Sequence, residues 1–319
     1  MRIDVHTHVI PPELVARTET TGGLFGVRRD GDTLVHPEGF SAPLTADFYD
    51  VDALLARMDG NGIDRSVVSL APPLLFYDLD AVAAVAFARE VNDALVAHVA
   101  RDPRLAAVAH LPMQDPEAAA EELERAVVLG LRGAQIGTNV GDLPLDDARF
   151  TPVLATAERL GVPLILHPYF VGPKPRLEPF FLTNSIGNPL DTAIAAARLI
   201  HTGALDRHPG LEVVLVHGAG YLPYQLGRLD HAFRVRPEAR AAIERPPSSY
   251  LRRFRIDTLT HSVDALRFLA EQAGPDRLLL GTDLPYDMAD VRPLDAIAAA
   301  GVDADQLGAN AAQMLGLGA

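Results

Sequence analysis

The chain has 319 residues, of which 48% are hydrophobic and 22% are charged, so it is long and apolar enough to bury a sizeable core. Its 42 acidic and 28 basic side chains give a formal net charge of −14, which argues against nucleic acid as a partner and against an anionic membrane surface. There are no cysteines, which excludes disulfides, thiolate metal sites and cysteine nucleophiles. Any metal must therefore bind through nitrogen and oxygen.

The first residues, Met1-Arg2-Ile3-Asp4, are too polar for a secretory signal, and no apolar stretch is long enough to span a bilayer. We therefore expect a cytoplasmic protein whose partner is a small-molecule substrate, and not a membrane or a nucleic acid. No segment rich in Ser, Gly or charge separates two halves, which favours one domain over residues 1–319.

Short runs of Val, Ile and Leu alternate with segments of helical periodicity, which is typical of parallel βαβ units. Eight units indicate a closed (β/α)8 TIM barrel, with an open doubly wound sheet as the alternative. The predicted strands are residues 2–5, 65–70, 105–109, 132–136, 162–166, 212–216, 255–257 and 277–280. The predicted helices are residues 51–59, with Asp50 as a cap, 81–100, 117–129, 152–160, 190–201, 223–233, 263–273 and 304–314.

Two connections are longer than a bare barrel needs. Residues 11–47 follow the first predicted strand, and residues 168–189 follow the fifth. Barrel enzymes place the loops that shape their substrate pockets at these carboxyl ends of the strands. We interpret both insertions as pocket walls or lids, and two irregular insertions are the alternative.

Ionisable side chains stand at the ends of several predicted strands. The first strand runs into His6 and His8, whose alternate positions point both imidazoles the same way, while the fifth, sixth and eighth run into His167, His217 and Asp283. Strand ends of a barrel surround one mouth, and a metal ion offsets the cost of burying such groups there. The sequence therefore predicts one divalent metal ion on His6, His8, His167 and Asp283, with purely structural histidines as the alternative. This donor set suits Zn²⁺, and Mn²⁺, Fe²⁺ or Co²⁺ are possible substitutes.

A series of short motifs spans the chain. They are, in order, Arg2-Ile3-Asp4-Val5-His6-Thr7-His8, Gln135-Ile136-Gly137, Gly141-Asp142, Leu145-Asp146-Asp147, Pro163-Leu164-Ile165-Leu166-His167-Pro168, His217-Gly218-Ala219-Gly220, Leu226-Gly227-Arg228-Leu229-Asp230, Pro246-Pro247-Ser248-Ser249-Tyr250, Gly281-Thr282-Asp283-Leu284-Pro285-Tyr286 and Asn310-Ala311-Ala312. In this order the series resembles the metal-dependent amidohydrolase superfamily, in particular its branch of aminocarboxymuconate-semialdehyde decarboxylase and related non-oxidative decarboxylases.

The resemblance implies roles for individual residues. His6, His8, His167 and Asp283 match the ligands of a single zinc ion, and His217 and Asp283 match catalytic residues, His217 as the acid/base beside the metal. Arg228 matches an arginine that reaches a substrate carboxylate across a dimer interface, which implies a homodimer. The single lysine of the chain, Lys174, lies in a proline-rich segment, which argues against the two-metal members that carry a carbamylated lysine.

The chain departs from the family pattern in its first long loop. The decarboxylase has a second carboxylate-binding arginine after a phenylalanine, whereas Ser41 follows Phe40 here. Arg28 and Arg29 are candidate substitutes, and the departure puts the decarboxylase's own substrate in doubt.

Aromatic side chains beyond the ligands are candidates for lining an aromatic or diene pocket, with ordinary loop packing as the alternative. His261, after the seventh predicted strand, is interpreted as a surface residue. The aromatic candidates are Tyr286, Tyr169, Phe181, Phe170 and Phe180.

Two chemistries are compatible with these residues. The favoured one is metal-dependent, non-oxidative decarboxylation of a small unsaturated or aromatic carboxylic acid, with Arg228 holding a carboxylate. The alternative is a mononuclear zinc hydrolase or cyclase acting on an amide, a lactone or a related C–N or C–O bond. A metal-free barrel that serves as a binding scaffold is a lesser alternative, which stoichiometric metal would exclude.

Overall fold

Parallel strands alternate with helices, and the computed structural model describes residues 1–169 and 176–318 of the chain. The strands are β1 (Ile3–Val9), β2 (Arg28–Asp30), β3 (Thr33–Val35), β4 (Ser41–Pro43), β5 (Arg65–Leu70), β6 (Leu105–Ala107), β7 (Ala109–His110), β8 (Ala134–Gly137), β9 (Asn139–Val140), β10 (Leu143–Pro144), β11 (Leu164–His167), β12 (Val213–Leu215), β13 (Phe254–Asp257) and β14 (Leu278–Leu279). The helices are α1 (Pro12–Thr18), α2 (Val51–Gly60), α3 (Ala81–Val99), α4 (Pro116–Val128), α5 (Thr151–Leu160), α6 (Asn188–His201), α7 (Ala204–Arg207), α8 (Leu222–Val235), α9 (Val263–Ala273), α10 (Pro293–Ala300) and α11 (Ala304–Leu315).

Two parallel sheets form the centre of the fold. One has the strand order β1-β5-β6, and the other has the order β14-β13-β12-β11-β8-β7. Backbone hydrogen bonds lie at both junctions between the sheets. At one, the N–H of Val5 donates to the carbonyl of Leu280 at 2.9 Å, and at the other Val108, which links β6 to β7, donates to the carbonyl of Val68 in β5 at 3.0 Å. The predicted mixed α/β class with parallel strands is therefore confirmed.

Local sequence signals account for most of the helix boundaries. The carboxylate of Asp50 accepts a hydrogen bond from the N–H of Ala53 at 3.1 Å, so the predicted cap of α2 is confirmed. The α10 helix was not predicted, although its run of alanines favours a helix and its Ile297 is fully buried. Strand β1 continues to Val9, beyond its predicted end at residue 5, because Val9 still pairs with Leu70 of β5.

The segment after β1 is more ordered than a loop. It contains α1 and a small antiparallel sheet of order β2-β3-β4, with Gly31 at a φ of 59° in the tight turn between β2 and β3. The alternative of an irregular insertion does not describe this segment, because Thr33 and Val35 pair with residues of neighbouring short strands. Part of the second long connection, which includes Phe170 and Lys174, lies outside the described residues.

Buried apolar side chains form two clusters. One lies between the strands and the helices, and the other, the inner cluster, lies on the inner side of the strands. The inner cluster is closed at one end by Ala311, Met314 and Leu315 of α11. Its other members are Ile3, Val5, Val67, Val108, Ile165, Val214, Val216 and Leu279. This plug leaves the carboxyl ends of the strands as the open end. None of the helices in the residues described is both long and apolar enough to cross a membrane.

Candidate metal centre

Four side chains predicted to bind a metal meet at the carboxyl ends of the strands. His6 and His8 belong to β1, His167 ends β11, and Asp283 follows β14. One ligand atom from each residue lies within 4.8 Å of those of the others, and all four residues are buried. The Nε2 atoms of His8 and His6 are 3.0 and 3.4 Å from Oδ1 of Asp283.

An irregularity in β1 helps to direct the two histidines. Ile3 and Asp4 pair with Arg65 and Ser66 of β5, but the next paired residue on β1 is Thr7, opposite Val68, so β1 has an extra residue between the two pairs. Such a bulge reverses the side to which later side chains point. Ile3 can therefore face the inner apolar cluster while His6 and His8 turn toward the open end.

The ligand atoms themselves show that the site fits a cation. Buried polar atoms without a partner are costly, and a single divalent ion would satisfy several of them together. Three nitrogens and one carboxylate oxygen are donors that zinc and neighbouring divalent metals accept. In the part of the chain that the structure describes, the buried side-chain atoms without a hydrogen-bond partner include Nε2 of His6, Nε2 of His8, Nε2 of His167 and Oδ1 of Asp283.

The other ring nitrogen of each histidine ligand has a partner. Because Nδ1 is engaged, each ring presents its Nε2 toward the common point, which is the arrangement that orients histidine ligands in metal sites. The Nδ1 contacts are His6 with Oδ2 of Asp257 at 2.7 Å, His8 with Oγ of Ser69 at 3.0 Å, and His167 with the carbonyl of Pro168 at 2.6 Å.

For three of the four ligand candidates, His8, His167 and Asp283, the electrostatics favour the protonation state that binds a metal. Burial lowers the pKa of His8 to about 4 and holds the pKa of His167 well below its usual value. Burial also opposes protonation of His6, but the hydrogen bond to Asp257 and the nearby carboxylates raise its pKa overall. Burial would raise the pKa of Asp283, yet the surrounding histidines, His167, His217 and His8, keep it well below its usual range. Neutral imidazoles and an ionised carboxylate are the forms that bind a metal.

His217 stands beside these four ligands on a strained turn. It follows β12 with a φ of 55°, and its Nε2 atom is 3.7 Å from Oδ2 of Asp283, which has a φ of 63°. Left-handed backbone is unfavourable for residues other than glycine, and such strain often accompanies functional sites. Gly220 ends this turn. A Cβ atom on residue 220 would lie 2.0 Å from the carbonyl oxygen of Pro189. The turn therefore requires glycine at that position.

A cavity of about 600 Å³ opens next to the ligands. His217 and Asp283 line it together with apolar side chains such as Leu259 and Phe268, so the metal site and the acid/base candidate share one pocket. This volume is in the range of small-molecule sites. His261 is exposed to solvent, as a surface residue should be, but it also lines this cavity.

The predicted aromatic residues lie in different environments. The ring of Tyr286 is edge-on to that of His8, with centroids 5.4 Å apart, so Tyr286 borders the metal site. Tyr169 packs against Tyr77 at 5.0 Å, and its hydroxyl accepts a hydrogen bond from the N–H of Gly141. Phe181 is 56% exposed. None of the described aromatic candidates lines the cavity, and these are Tyr286, Tyr169, Phe180 and Phe181.

The structure places the predicted arginines away from the cavity of the single chain. Arg228 is exposed on α8, and its side chain makes no hydrogen bond or ion pair to any residue that the structure describes. Arg28 is exposed on β2, and the guanidinium of Arg29 is 3.0 Å from Glu19. Ser41 is exposed on β4.

Asp257 and Ser69, which contact the ligand histidines, were not predicted from the sequence. Asp257 ends β13 as a buried carboxylate against His6, and Ser69 lies in β5 between His8 and Gln135, donating to Oε1 of Gln135 at 2.7 Å. The signal that identified the other site residues, an ionisable group at the end of an apolar strand, is weaker for Asp257, because Arg255 interrupts the apolar run before it. Ser69 had no such signal, because a serine in a strand is ordinary.

Comparisons with known proteins identify the family to which the chain is similar. The model of the family described as amidohydrolase matches residues 3–317. A 2-amino-3-carboxymuconate-6-semialdehyde decarboxylase from Dictyostelium discoideum is 30% identical over 331 aligned positions, which cover 99% of this chain and 92% of the relative. A gamma-resorcylate decarboxylase from Rhizobium radiobacter is 34% identical over 258 positions, covering 75% of this chain and 78% of the relative. The solved structure of a dihydroxybenzoic acid decarboxylase from Polaromonas sp. JS666, with bound manganese and the inhibitor 2-nitroresorcinol, is similar with a TM-score of 0.82 at 27% identity, covering 99% of this chain and 97% of that one.

Proposed function

Because this chain belongs to the amidohydrolase family, we propose that it is a metal-dependent, non-oxidative decarboxylase of a small unsaturated or aromatic carboxylic acid. The observation that carries the proposal is the group of four buried, unpartnered ligand atoms beside the cavity that His217 lines. The relatives that match the chain are named as decarboxylases, which favours this chemistry over hydrolysis or cyclisation. The same names argue for an enzyme and against a binding scaffold.

The proposed architecture is one closed (β/α)8 barrel over residues 1–319. Backbone hydrogen bonds at both sheet edges and the apolar plug from α11 support closure of the barrel. The two long segments, residues 11–47 and 168–189, are proposed to shape the pocket. Asn184 and Asn188 support this for the second segment, since both line the cavity.

The proposed ion is zinc, held by His6, His8, His167 and Asp283, because a nitrogen-rich site without thiolates suits zinc. The manganese in the Polaromonas decarboxylase makes Mn²⁺ the main rival. When bound, a divalent ion supplies Lewis acidity that polarises oxygen groups of the substrate.

The side chains of this site must deliver one proton. In decarboxylation of an aromatic acid, the ring carbon that bears the carboxylate gains a proton, the bond between that carbon and the carboxyl carbon breaks, and its electron pair returns to the ring as carbon dioxide leaves. Electrons and atoms balance without an oxidant. His217 and Asp283 both line the cavity, with Nε2 and Oδ2 3.7 Å apart, so they are suited to hold and deliver the proton.

We propose that binding of the carboxylated substrate needs a second subunit. Arg228 would reach the substrate carboxylate in the site of its partner within a homodimer, which is in keeping with its exposure and lack of partners in the single chain. Tyr286 would contact the substrate ring from the metal side, and Tyr169 and Phe181 remain candidates for the pocket wall. The cytoplasmic location also remains a prediction.

The experiment that tests the proposed function is decarboxylation in deuterated water. Hydroxylated benzoic acids such as gamma-resorcylic, 5-carboxyvanillic and 6-methylsalicylic acid are incubated with the protein, and carbon dioxide and the aromatic product are analysed. Decarboxylation leaves one deuterium on the carbon that lost its carboxylate. If amides or lactones are cleaved and none of the acids releases carbon dioxide, the hydrolase alternative replaces the proposal.

A further inference from the structure

Asp257 touches three separate parts of the site through one carboxylate. Its Oδ2 atom lies 2.7 Å from Nδ1 of His6, and its Oδ1 atom accepts hydrogen bonds from the N–H groups of Gly218 at 2.8 Å and Leu259 at 3.2 Å. His6 is a metal ligand, Gly218 follows His217, and Leu259 lines the cavity. The carboxylate is fully buried at the end of β13. These contacts compensate for the cost of burying its charge.

We propose that Asp257 is a positioning residue that sets both the metal affinity of His6 and the placement of His217. The inference concerns a residue outside the four ligands and the acid/base pair, and it rests on the proposed function for its catalytic part. Its metal-binding part stands on geometry alone.

The contact with His6 determines which ring nitrogen carries the proton. A carboxylate accepts hydrogen bonds and does not donate them, so Nδ1 of His6 must carry a proton, and in the neutral ring Nε2 then keeps its lone pair. That lone pair is what a metal ligand offers, and such partners orient the ring and raise its basicity. Asp257 therefore holds His6 in the tautomer that the metal site needs.

The contact with Gly218 holds the turn that carries His217. Residues 217–220 all have positive φ, and Gly218 packs so closely against Thr260 that a Cβ atom would lie 2.8 Å from its methyl group. A strained turn persists only where its surroundings determine it. The hydrogen bond from the N–H of Gly218 to Asp257 is the fixed polar anchor of this turn and joins it to the metal ligand.

Gly281, which lies next to Asp257, leaves the space that the side chain of Asp257 occupies. A Cβ atom on Gly281 would lie 2.7 Å from Cβ of Asp257 and 3.0 Å from Cβ of His6. A Cβ atom at position 281 could lie that close to Asp257 and His6 only if these two residues were displaced. The backbone before Asp283 is thus shaped around the contact between Asp257 and His6.

Two substitutions separate the roles of Asp257. Asp257→Asn keeps an oxygen for Gly218 but places an amide N–H against His6, which moves the ring proton to Nε2. We expect the Zn²⁺ dissociation constant, measured by chelator competition, to rise about 10- to 100-fold, with kcat recovering when Zn²⁺ is saturating. Asp257→Ala also removes the acceptor of Gly218, so we expect the same loss of affinity and a kcat that stays low at saturating Zn²⁺.

Glu122→Gln is the matched control, because Glu122 is a buried carboxylate bonded to Asn92 and Arg125, away from the site. It should leave the Zn²⁺ affinity unchanged. Wild-type affinity in Asp257→Asn would overturn the role toward His6, and equal kcat of the two Asp257 variants at saturating Zn²⁺ would overturn the role toward His217.

Amide hydrogen exchange at Gly218 covers the case in which Asp257→Ala does not fold. Slow exchange is expected in the wild type and in Asp257→Asn, and fast exchange in the wild type would show that the anchor does not hold the turn. If the wild type releases no carbon dioxide, the proposed function fails, whereas the Zn²⁺ affinities and the exchange rates still decide the role of Asp257.

Discussion

The Nε2 atom of His8 lies 3.0 Å from Oδ1 of Asp283, although His8 belongs to the first strand and Asp283 follows the last one. A backbone hydrogen bond of 2.8 Å from the N–H of Asp283 to the carbonyl of His6 fixes the two segments against each other. The proposed set of four metal ligands is therefore complete only when the first and last strands are paired. Metal binding to such a site contributes to the stability of the folded chain.

Gly281 lies at this junction, and we expect Gly281→Ala to weaken both folding and metal binding. The added methyl group would meet Asp257 and His6 at 2.7 and 3.0 Å, and overpacking of this kind costs about 1–3 kcal/mol. Urea unfolding and Zn²⁺ titration measure the two effects. Gly227→Ala in α8 is the control, because nothing lies within 4 Å of its new methyl group, and it should be neutral or slightly stabilising. Equal stability of both variants would contradict the packing described at Gly281.

His217→Ala should separate catalysis from metal binding. His217 is not one of the four ligands, so the variant should keep its metal, while loss of an acid/base group lowers kcat by about 10²- to 10⁴-fold. Metal analysis and steady-state kinetics on the same preparation provide both values. His231→Ala, which removes an exposed histidine on α8, should leave both unchanged. Retention of full kcat in His217→Ala would remove His217 from the mechanism.

Arg228→Ala should raise KM or abolish turnover of a carboxylated substrate, because Arg228 is proposed to hold the carboxylate across a dimer interface. Arg234→Ala, another exposed arginine of α8, is the matched control and should behave like the wild type. Mixing Arg228→Ala with His217→Ala chains should restore activity, because each mixed dimer contains one complete site. Unchanged kinetics of Arg228→Ala would exclude the residue from the site, and failure of the mixture would exclude its action across an interface.

Acid stability should depend on His110, which is fully buried next to Phe87. Burial lowers its pKa to about 3, below the ordinary value of 6.5, so the unfolded chain takes up a proton first as the pH falls. The contribution of neutral His110 to stability is therefore complete above pH 6.5 and is lost progressively toward pH 3. In this window His110→Leu should reduce the slope of unfolding free energy against pH by about 1.4 kcal/mol per pH unit. Identical slopes in urea unfolding of both proteins would contradict this account.

Much of the site could be predicted because its ligands follow apolar strands. The runs before His167, His217 and Asp283 are continuous and hydrophobic, and parallel strands bring their carboxyl ends together wherever they lie in the chain. The four ligands and His217 were named on that basis, and the structure brings them together. Asp257 was not predicted, because Arg255 interrupts the hydrophobic run before it.

Other features depend on contacts that no local pattern encodes. The bulge in β1 arises from pairing with β5, and the small sheet of β2, β3 and β4 depends on pairing between short strands with weak individual preferences. The orientation of Phe181, and the surroundings of Arg228 in an assembly, depend on packing between distant parts of the chain or between chains. Such packing overrides local propensity, so these features were expected only in outline.

The most direct test of the central claim is to measure metal content and carbon dioxide release on one preparation purified without added metal. The account predicts close to one divalent ion per chain, zinc before manganese, together with release from at least one hydroxylated benzoic acid. Removing the ion with a chelator should stop the release, and adding it back should restore it. A protein that binds no metal even after reconstitution, or that releases carbon dioxide equally well without metal, would contradict the account.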